Sequence, residues 1–157
     1  MTRITEAKPI TRQQVNELEA AMKKLPQVEL KVVNHFANGV YARELHIPAG
    51  VTLTGRIHKY DNLNILSQGE MLVTTEAGLV HVKAPFTVVS PAGTKRIATT
   101  LTDCIWTSIH GTDETDIDKI EQHFTAGDDQ EYLDHCKNLT LEGTQYGMGS
   151  NSRGSGI

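Results

Sequence analysis

The sequence has few cysteines and aromatic residues, and it lacks long apolar runs. Two cysteines occur among 157 residues. They are too few for a disulfide framework, so we expect a reducing compartment such as the cytoplasm. No apolar run approaches the roughly 18 residues that a membrane-spanning helix needs, and the first residues contain no apolar core of signal-peptide length. The sequence therefore predicts neither export nor a membrane partner.

Basic residues are scattered rather than clustered. The 15 Lys and Arg residues never form a run longer than two, and 19 acidic residues give a formal net charge of −4. Binding to a nucleic-acid backbone needs a basic patch, so we predict no nucleic-acid partner. The length allows one sizeable core and leaves too few residues to build a second.

Short apolar-rich segments alternate with turn residues between residues 29 and 110. Turns such as Asn38-Gly39 and Pro48-Ala49-Gly50 are typical of antiparallel β connections. About nine short strands in about 80 residues favour a sandwich or a jelly roll. The predicted strands are Glu29–Phe36, Gly39–Ile47, Thr52–Lys59, Asn62–Ser67, Glu70–Thr75, Leu79–Lys83, Thr87–Ser90, Arg96–Thr100 and Cys104–His110.

A helix is predicted before the strands. Thr11 and Gln14 have the spacing of a capping box, so the helix should begin there and end near Leu25, before Pro26. Its apolar stripe has two interpretations, packing on the outside of the strand domain or packing on a second subunit. The stripe consists of Val15, Leu18, Met22 and Leu25.

Composition divides the chain into four segments. Within the third, apolar residues at helical spacing predict helices over Glu114–Phe124 and Asp129–Asn138. The last is rich in Gly and Ser and should be flexible. The segments are an arm and helix over 1–27, a barrel over 28–112, a helical segment over 113–140 and a tail over 141–157.

Polar side chains are concentrated on one face of two neighbouring predicted strands. Arg56, His58 and Tyr60 occupy alternate positions in one strand, and Asn62 and Asn64 do so in the next. Alternate residues of a strand point to the same face. Because a half-buried strand normally turns apolar residues inward, this polar face predicts a lined pocket rather than a packed core.

These residues carry a resemblance to a known family. The stretch Pro48–Gly69 resembles the first motif of the cupin superfamily, and Pro91–Arg96 resembles the second, with Arg96 in the place of its final His. The resemblance implies one mainly β domain, an antiparallel double-stranded β-helix (the cupin jelly-roll barrel) with an N-terminal helix and short C-terminal helices. The residues that match the first motif are Gly50, His58, Tyr60, Asn62 and Gly69.

A looser similarity concerns the source of the protein. The stretch from His58 to His110 is similar to small cupin-like proteins encoded by tailed bacteriophages. That similarity implies a location in the host cytoplasm or in a virion, where virion proteins would be the partners.

The metal chemistry of cupins depends on a His, His, Glu, His set, of which this chain keeps only His58. Tyr60, Asn62 and Arg96 stand in the other places. A guanidinium in place of the last imidazole would repel a cation. We therefore expect no cofactor; a divalent transition metal is the alternative, with His110 as the second imidazole beside His58.

Without a metal, the same groups describe a site for a small anionic or polar ligand such as a phosphate, a carboxylate, a sugar or a nucleotide. The competing interpretation is a polar network in which these side chains satisfy one another and close the barrel. The predicted ligand-binding residues are Arg56, His58, Tyr60, Asn62, Asn64, Arg96, Trp106 and His110.

Three functions stay open at this point. The first is a ligand-binding or assembly protein that forms a homo-oligomer, a dimer or larger. The second is a small cupin enzyme, an isomerase, an epimerase or a metal-dependent oxygenase, with His58 and Tyr60 as the catalytic residues. The third is a structural or accessory protein of a virion.

Overall fold

The computed structural model describes residues 3–4 and 8–145. Within these ranges the helices are α1 (Arg12–Met22), α2 (Ile117–Phe124) and α3 (Asp129–Gln145). The strands are β1 (Arg3–Ile4), β2 (Lys31–Ala37), β3 (Val40–Ile47), β4 (Thr52–Thr54), β5 (Ile57–His58), β6 (Asn62–Gln68), β7 (Glu70–Thr75), β8 (Gly78–Lys83), β9 (Phe86–Ser90), β10 (Ile97–Thr100), β11 (Cys104–His110) and β12 (Thr125–Ala126). Helix α3 extends past its predicted end at Asn138, and residues 146–157 of the predicted tail lie outside the described residues.

The strands form two five-stranded antiparallel sheets and a short third pair. The sheet orders are β1-β8-β7-β10-β4 and β2-β3-β11-β6-β9, and β5 pairs with β12. Eight of these strands, β3, β4 and β6 to β11, can be counted one to eight in chain order. One sheet then has the order one, eight, three, six, and the other has the order two, seven, four, five. This is the strand order of a jelly roll, which consists of two Greek keys. The predicted mainly β jelly-roll fold is therefore confirmed.

The space between the sheets has an apolar end and a polar end. Along β11 the alternate side chains pass from Cys104 and Trp106 to Ser108 and His110, and Asn64 of β6 lies opposite Ser108. Burial of the apolar end supplies most of the favourable folding free energy. The buried core cluster consists of Leu45, Ile47, Leu66, Met71, Val82 and Cys104.

The predicted strand Thr52–Lys59 is broken in the structure. Strand β4 ends at Thr54 and pairs with β10, whereas β5 begins at Ile57 and pairs with β12. Because β12 lies far away in the sequence, local alternation could not show that the chain changes sheets here. The regular alternation predicted from Arg56 to Tyr60 is therefore interrupted, because β5 contains only Ile57 and His58.

Helix α1 begins at the predicted capping box and packs on its own jelly roll. The Thr11 hydroxyl accepts from the backbone of Gln14, and the Gln14 side chain accepts from the backbone of Thr11. Only Val15 of the predicted apolar stripe is buried, and the helix ends at Met22 rather than near Leu25. Polar contacts replace the missing apolar ones, because the Glu19 carboxylate of α1 binds the Lys95 ammonium and the Thr54 hydroxyl.

The C-terminal segment covers the polar end of the jelly roll. Thr125 and Ala126 of β12 are buried beside β5. The ring of Phe124 lies 4.7 Å from that of His110, centroid to centroid. Lys59 donates to the carbonyl of Gln122 at 2.8 Å. These contacts make α2 and β12 part of the same folded unit as the strands.

The structure shows the state of the two cysteines and the character of the helices. Cys104 is buried in β11 and Cys136 lies in α3, and both are free thiols. None of the helices in the described part of the chain is long and apolar enough to cross a membrane.

Candidate functional site

A cavity of about 140 Å³ lies between the two sheets. Its apolar wall continues the core and consists of Leu45, Ile47, Leu53, Met71, Val73, Ala98 and Trp106. Its polar wall comes from β5, β6, the ends of β9 and β11, and the β9–β10 connection, with the side chains of Arg56, His58, Asn62, Asn64, Ser90, Thr94, Arg96 and Ser108. A ligand in the cavity would therefore contact an apolar surface on one side and a polar surface on another.

Four side chains of the polar wall form a hydrogen-bond network centred on Asn64. The Nδ2 of Asn64 donates to the Oγ of Ser90 at 2.9 Å. Its Oδ1 accepts from the Nδ2 of Asn62 at 3.0 Å and from the Oγ of Ser108 at 2.8 Å. Asn62 and Asn64 are both buried, as their alternation in the sequence predicts. The network fixes the amide of Asn62 and does not include Arg96.

Three buried polar atoms of residues on the cavity wall have no hydrogen-bond partner in the described chain. They are the Nε of Arg96, the Oδ1 of Asn62 and the Nδ1 of His58. The first is a donor, the second an acceptor, and the third can be either. Buried polar atoms in native proteins nearly always have a partner in protein or water. These three residues of the wall therefore have unused hydrogen-bonding capacity for one donor, one acceptor and one group of either kind.

The two arginines of the wall differ in their pairing. Arg56 forms an ion pair with Glu121 at 3.0 Å, and its Nε donates to the hydroxyl of Thr125 at 3.0 Å. Arg96 forms no ion pair or side-chain hydrogen bond with any described residue. No Asp or Glu occurs among the described residues that line this cavity. The charge of Arg96 is therefore uncompensated there.

A second cavity lies on the other side of the β9–β10 connection. It has a volume of about 290 Å³, lies between this connection and α1, and shares Thr94 and Arg96 with the first cavity. Glu76 lines this outer cavity, but no ion pair joins it to Arg96 within the described residues. Arg96 thus separates an inner cavity from an outer one.

Two histidines lie together at the polar end of the jelly roll. The rings of His58 and His110 stack with centroids 5.6 Å apart and planes at 14°. Burial first, and then the nearby charges of His110, Arg43 and Arg56, lower the pKa of His58 to about 4. Burial and Arg43 also lower the pKa of His110. Both imidazoles are therefore neutral at pH 7 and add no charge to the cavity.

The structure places the predicted site residues in three positions. The wall of the inner cavity contains Arg56, His58, Asn62, Asn64, Arg96 and Trp106. His110 lies behind His58 and does not line the cavity. Tyr60 lies outside it, 37 % exposed, with its ring centroid 5.4 Å from that of His123 and 5.2 Å from that of His135. Strand β5 ends at His58 and the chain bends at Lys59 and Tyr60, so the alternation does not continue to Tyr60.

Sequence reasoning did not identify Ser90 and Thr94 as part of the wall. Ser90 reaches it because β9 pairs with β6, which sets Ser90 opposite Asn62. The connection after it is held by Gly93, whose N–H donates to the carbonyl of His58 at 2.8 Å. Gly93 has φ +80°, and a Cβ there would lie 2.7 Å from the hydroxyl of Tyr132. The positive φ therefore favours glycine at this position of the second motif, and a larger residue would also displace the ring of Tyr132.

The cupin resemblance implies a metal, and the side chains present do not fit one. Of the residues in the ligand places, Tyr60 lies outside the cavity and Arg96 brings a positive charge. The stacked rings of His58 and His110 hold their lone pairs in two nearly parallel planes, which is unfavourable for binding one ion between them. Among the described residues, no group of three or more His, Cys, Asp and Glu could hold a metal ion.

The sequence matches no protein-family model and no curated protein. Its structure is similar to the cupin domain of Cnp3 from Schizosaccharomyces pombe, with 15% identity and a TM-score of 0.46 over 84% of this chain and 82% of that one. It is also similar to a cupin-2 domain protein from Shewanella frigidimarina, with 12% identity and a TM-score of 0.43 over 60% and 92%. A putative ethanolamine utilization protein Q from Salmonella typhimurium shares 15% identity and a TM-score of 0.45 over 54% and 71%.

The strand order of the two sheets and the cavity between them define the class of protein. The protein is a jelly-roll protein of cupin-like strand order. Its inner cavity has an apolar wall and a polar wall with one unpaired arginine.

Proposed function

We propose that the protein binds a small anionic or polar ligand in the inner cavity. The observation that carries the proposal is the set of three unpartnered buried atoms, on Arg96, Asn62 and His58, around one cavity. A buried donor or acceptor without a partner is destabilising by about 1 to 3 kcal/mol. A ligand that pairs with all three atoms would remove this destabilisation.

The charge of the wall favours an anion. Arg96 has no carboxylate near it on this wall, whereas Arg56 already pairs with Glu121. The Nε of Arg96 is buried without a partner, and a carboxylate or a phosphate would complete the guanidinium with two parallel hydrogen bonds. Arg96 is therefore the proposed main determinant of affinity.

Binding accounts for the site better than acid–base catalysis does. A general base works best when its pKa lies near the working pH, and the pKa of His58 is lowered to about 4. No carboxylate of the described chain lines the cavity to orient His58, and Tyr60 does not reach it. The enzyme alternative would have to use His58 without either group.

We also propose that the chain forms a homo-oligomer. Strand β2 is the outer strand of its sheet, and Val32 and Phe36 on it are 38 % and 46 % exposed. Antiparallel pairing of two β2 strands about Asn34 would set Val32 opposite Phe36 of the second copy. In this pairing no two like charges would face each other. We therefore propose that β2 of a second copy of the chain pairs with this edge of the sheet.

Native mass spectrometry of purified wild type, Arg96→Ala and Arg96→Lys tests the ligand proposal. We expect a retained small molecule on the wild type, its loss from Arg96→Ala and partial retention by Arg96→Lys, which keeps the charge without the planar fork. Lys83→Gln is the control for loss of a cation, because the side chain of Lys83 is 62 % exposed and does not line the cavity. Equal occupancy in all four folded proteins would contradict the role of Arg96.

The same spectra give the number of subunits. We expect a dimer or larger that Phe36→Glu dissociates, because two carboxylates would then enter an apolar contact. Leu141→Glu is the control, since Leu141 is exposed on α3, away from β2. A monomeric wild type would exclude the proposed pairing of β2 strands.

A further inference from the structure

We infer that the ligand of the inner cavity is a small hydroxy monocarboxylate with an apolar body. This inference rests on the proposed function and narrows the ligand class that the cavity fits. Four properties carry it: the volume of the cavity, the number of unpaired charges, the kinds of unpaired atoms and the position of the apolar wall.

The volume limits the size of the ligand. The inner cavity measures about 140 Å³. An apolar cavity of about 150 Å³ accommodates benzene, so a ligand of about six to eight non-hydrogen atoms fits here. Nucleotides and disaccharides are several times larger. They would have to leave most of their atoms outside the two sheets.

The charge limits the ligand to a monoanion. Arg96 is the one cation of the described wall without a partner, because Arg56 pairs with Glu121 and the imidazole of His58 is neutral at pH 7. A phosphate dianion would bring a second negative charge into a partly apolar cavity with no second unpaired cation to meet it. A single carboxylate balances Arg96 and matches the geometry of a guanidinium.

The unpaired acceptor requires a donor on the ligand. The Oδ1 of Asn62 cannot bond to a carboxylate, because both are acceptors. A hydroxyl on the ligand can donate to Asn62 while the carboxylate accepts from the Nε of Arg96. The Nδ1 of His58 can donate to the carboxylate or accept from the hydroxyl, depending on its tautomer. One hydroxy acid thus satisfies all three atoms.

The apolar wall specifies the rest of the molecule. Leu53 and Val73 line the cavity from the sheet opposite Asn62 and Asn64, and Trp106 lines it beside Ser108 on β11. A sugar carries hydroxyls all around its ring and would turn several of them towards this wall without partners. A branched aliphatic body would instead bury apolar surface there.

Titration of the protein with 2-hydroxy-3-methylbutanoate, 3-methylbutanoate, inorganic phosphate and glucose tests the inference. Calorimetry gives affinities, and the fluorescence of Trp106, the single tryptophan, reports whether the ligand enters the inner cavity. We expect the hydroxy acid to bind most tightly, about tenfold more tightly than the acid without the hydroxyl, with a shift of the Trp106 emission. Binding without that shift would place the ligand in the outer cavity and overturn the inference.

Variants of Arg96 and Asn62 test which group of the ligand each residue contacts. Arg96→Gln should weaken binding of both acids by about ten- to a hundredfold, because it removes the charge-assisted pair. Asn62→Ala should abolish the preference for the hydroxy acid and leave the affinity for 3-methylbutanoate within about threefold of the wild type. Circular dichroism and thermal melting confirm that each variant folds, and Arg96→Lys serves as a second variant if Arg96→Gln does not.

The outcomes separate the inference from the proposed function. Tighter binding of phosphate or glucose, with the Trp106 shift and dependence on Arg96, would overturn the ligand class while the binding function stands. Equal affinities of the two acids would overturn the role of the hydroxyl. No binding of any of the four ligands, together with no retained molecule in the native spectra, would count against the proposed function itself.

Discussion

The rings of His58 and His110 stack at 5.6 Å between centroids, one on the wall of the inner cavity and the other directly behind it. The rings of Phe124 from the C-terminal segment and of Tyr41 also pack on His110. The histidine pair is therefore the place where the cavity, the strand β11 and the C-terminal segment meet. Its charge state controls the stability of this end of the molecule.

The stability of the protein should decrease as the pH falls below about 6.5. The folded-state pKa of His58 is lowered to about 4, so the unfolded chain, with a pKa of about 6.5, takes up a proton first. The loss begins near pH 6.5, increases down to about pH 4 and is on the order of 3 kcal/mol for His58. The lowered pKa of His110 acts in the same direction.

Urea unfolding at pH 7 and at pH 4.5 measures this effect in the wild type and in His58→Gln. The variant should lose less stability between the two values, because one buried titrating group is absent. His35→Gln is the control, since the side chain of His35 is 53 % exposed and lies outside the cavity. A His58→Gln variant with the full pH dependence would show that the pair does not carry it.

Purified protein should contain less than one transition-metal ion per chain. The reason is the donor set, in which Arg96 and Asn62 occupy places that cupins fill with metal ligands and Tyr60 lies outside the cavity. Elemental analysis of protein prepared without chelators gives the metal content. One tightly held Fe, Mn, Ni or Zn ion per chain that disappears in His58→Ala would contradict this expectation.

The Glu19–Lys95 ion pair should hold α1 on the jelly roll. The side chain of Lys95 is only 5 % exposed, so removing its partner leaves a buried charge unpaired. We expect Glu19→Ala to lower the free energy of unfolding by about 3 kcal/mol. The matched control is Glu17→Ala on the same helix, where the side chain is exposed, with an expected change within about 0.5 kcal/mol.

Both values come from urea unfolding at one pH. A double variant, Glu19→Leu with Lys95→Leu, should recover part of the stability, because no charge is then left buried. Equal destabilisation by Glu19→Ala and Glu17→Ala would mean that the ion pair adds nothing to the attachment of α1.

The C-terminal segment should contribute stability through α2 and β12 but not through its last residues. Deleting residues from Leu141 onward should lower the melting temperature by no more than a few degrees, because Leu139 and Leu141 at the end of α3 are exposed. Phe124→Ala should lower the free energy of unfolding by about 3 kcal/mol, since it removes the ring that packs on His110. Thermal melting compares the two, and an insoluble truncated protein would show that the deleted residues are integral to the fold.

The sequence by itself determined the order of the elements and the inward side of β6. Turn residues and period-two alternation are local signals, and they predicted the approximate positions of the long strands, the capping box at Thr11 and the burial of Asn62 and Asn64. The motif at Pro91–Arg96 likewise predicted a turn at Gly93 and a cavity-lining position for Arg96, because a tight turn sets the direction of the residues after it.

Only the tertiary structure decided which side chains of this polar set share the cavity and which of them are free. Tyr60 lies outside the wall, where its ring packs on His123 and His135, and Arg56 pairs with Glu121 of α2, so Arg96 is the unpaired cation of the described wall. These are contacts between residues far apart in the chain. A local pattern gives the direction of a side chain along its own strand, but the partner that satisfies it comes from the packing of distant segments.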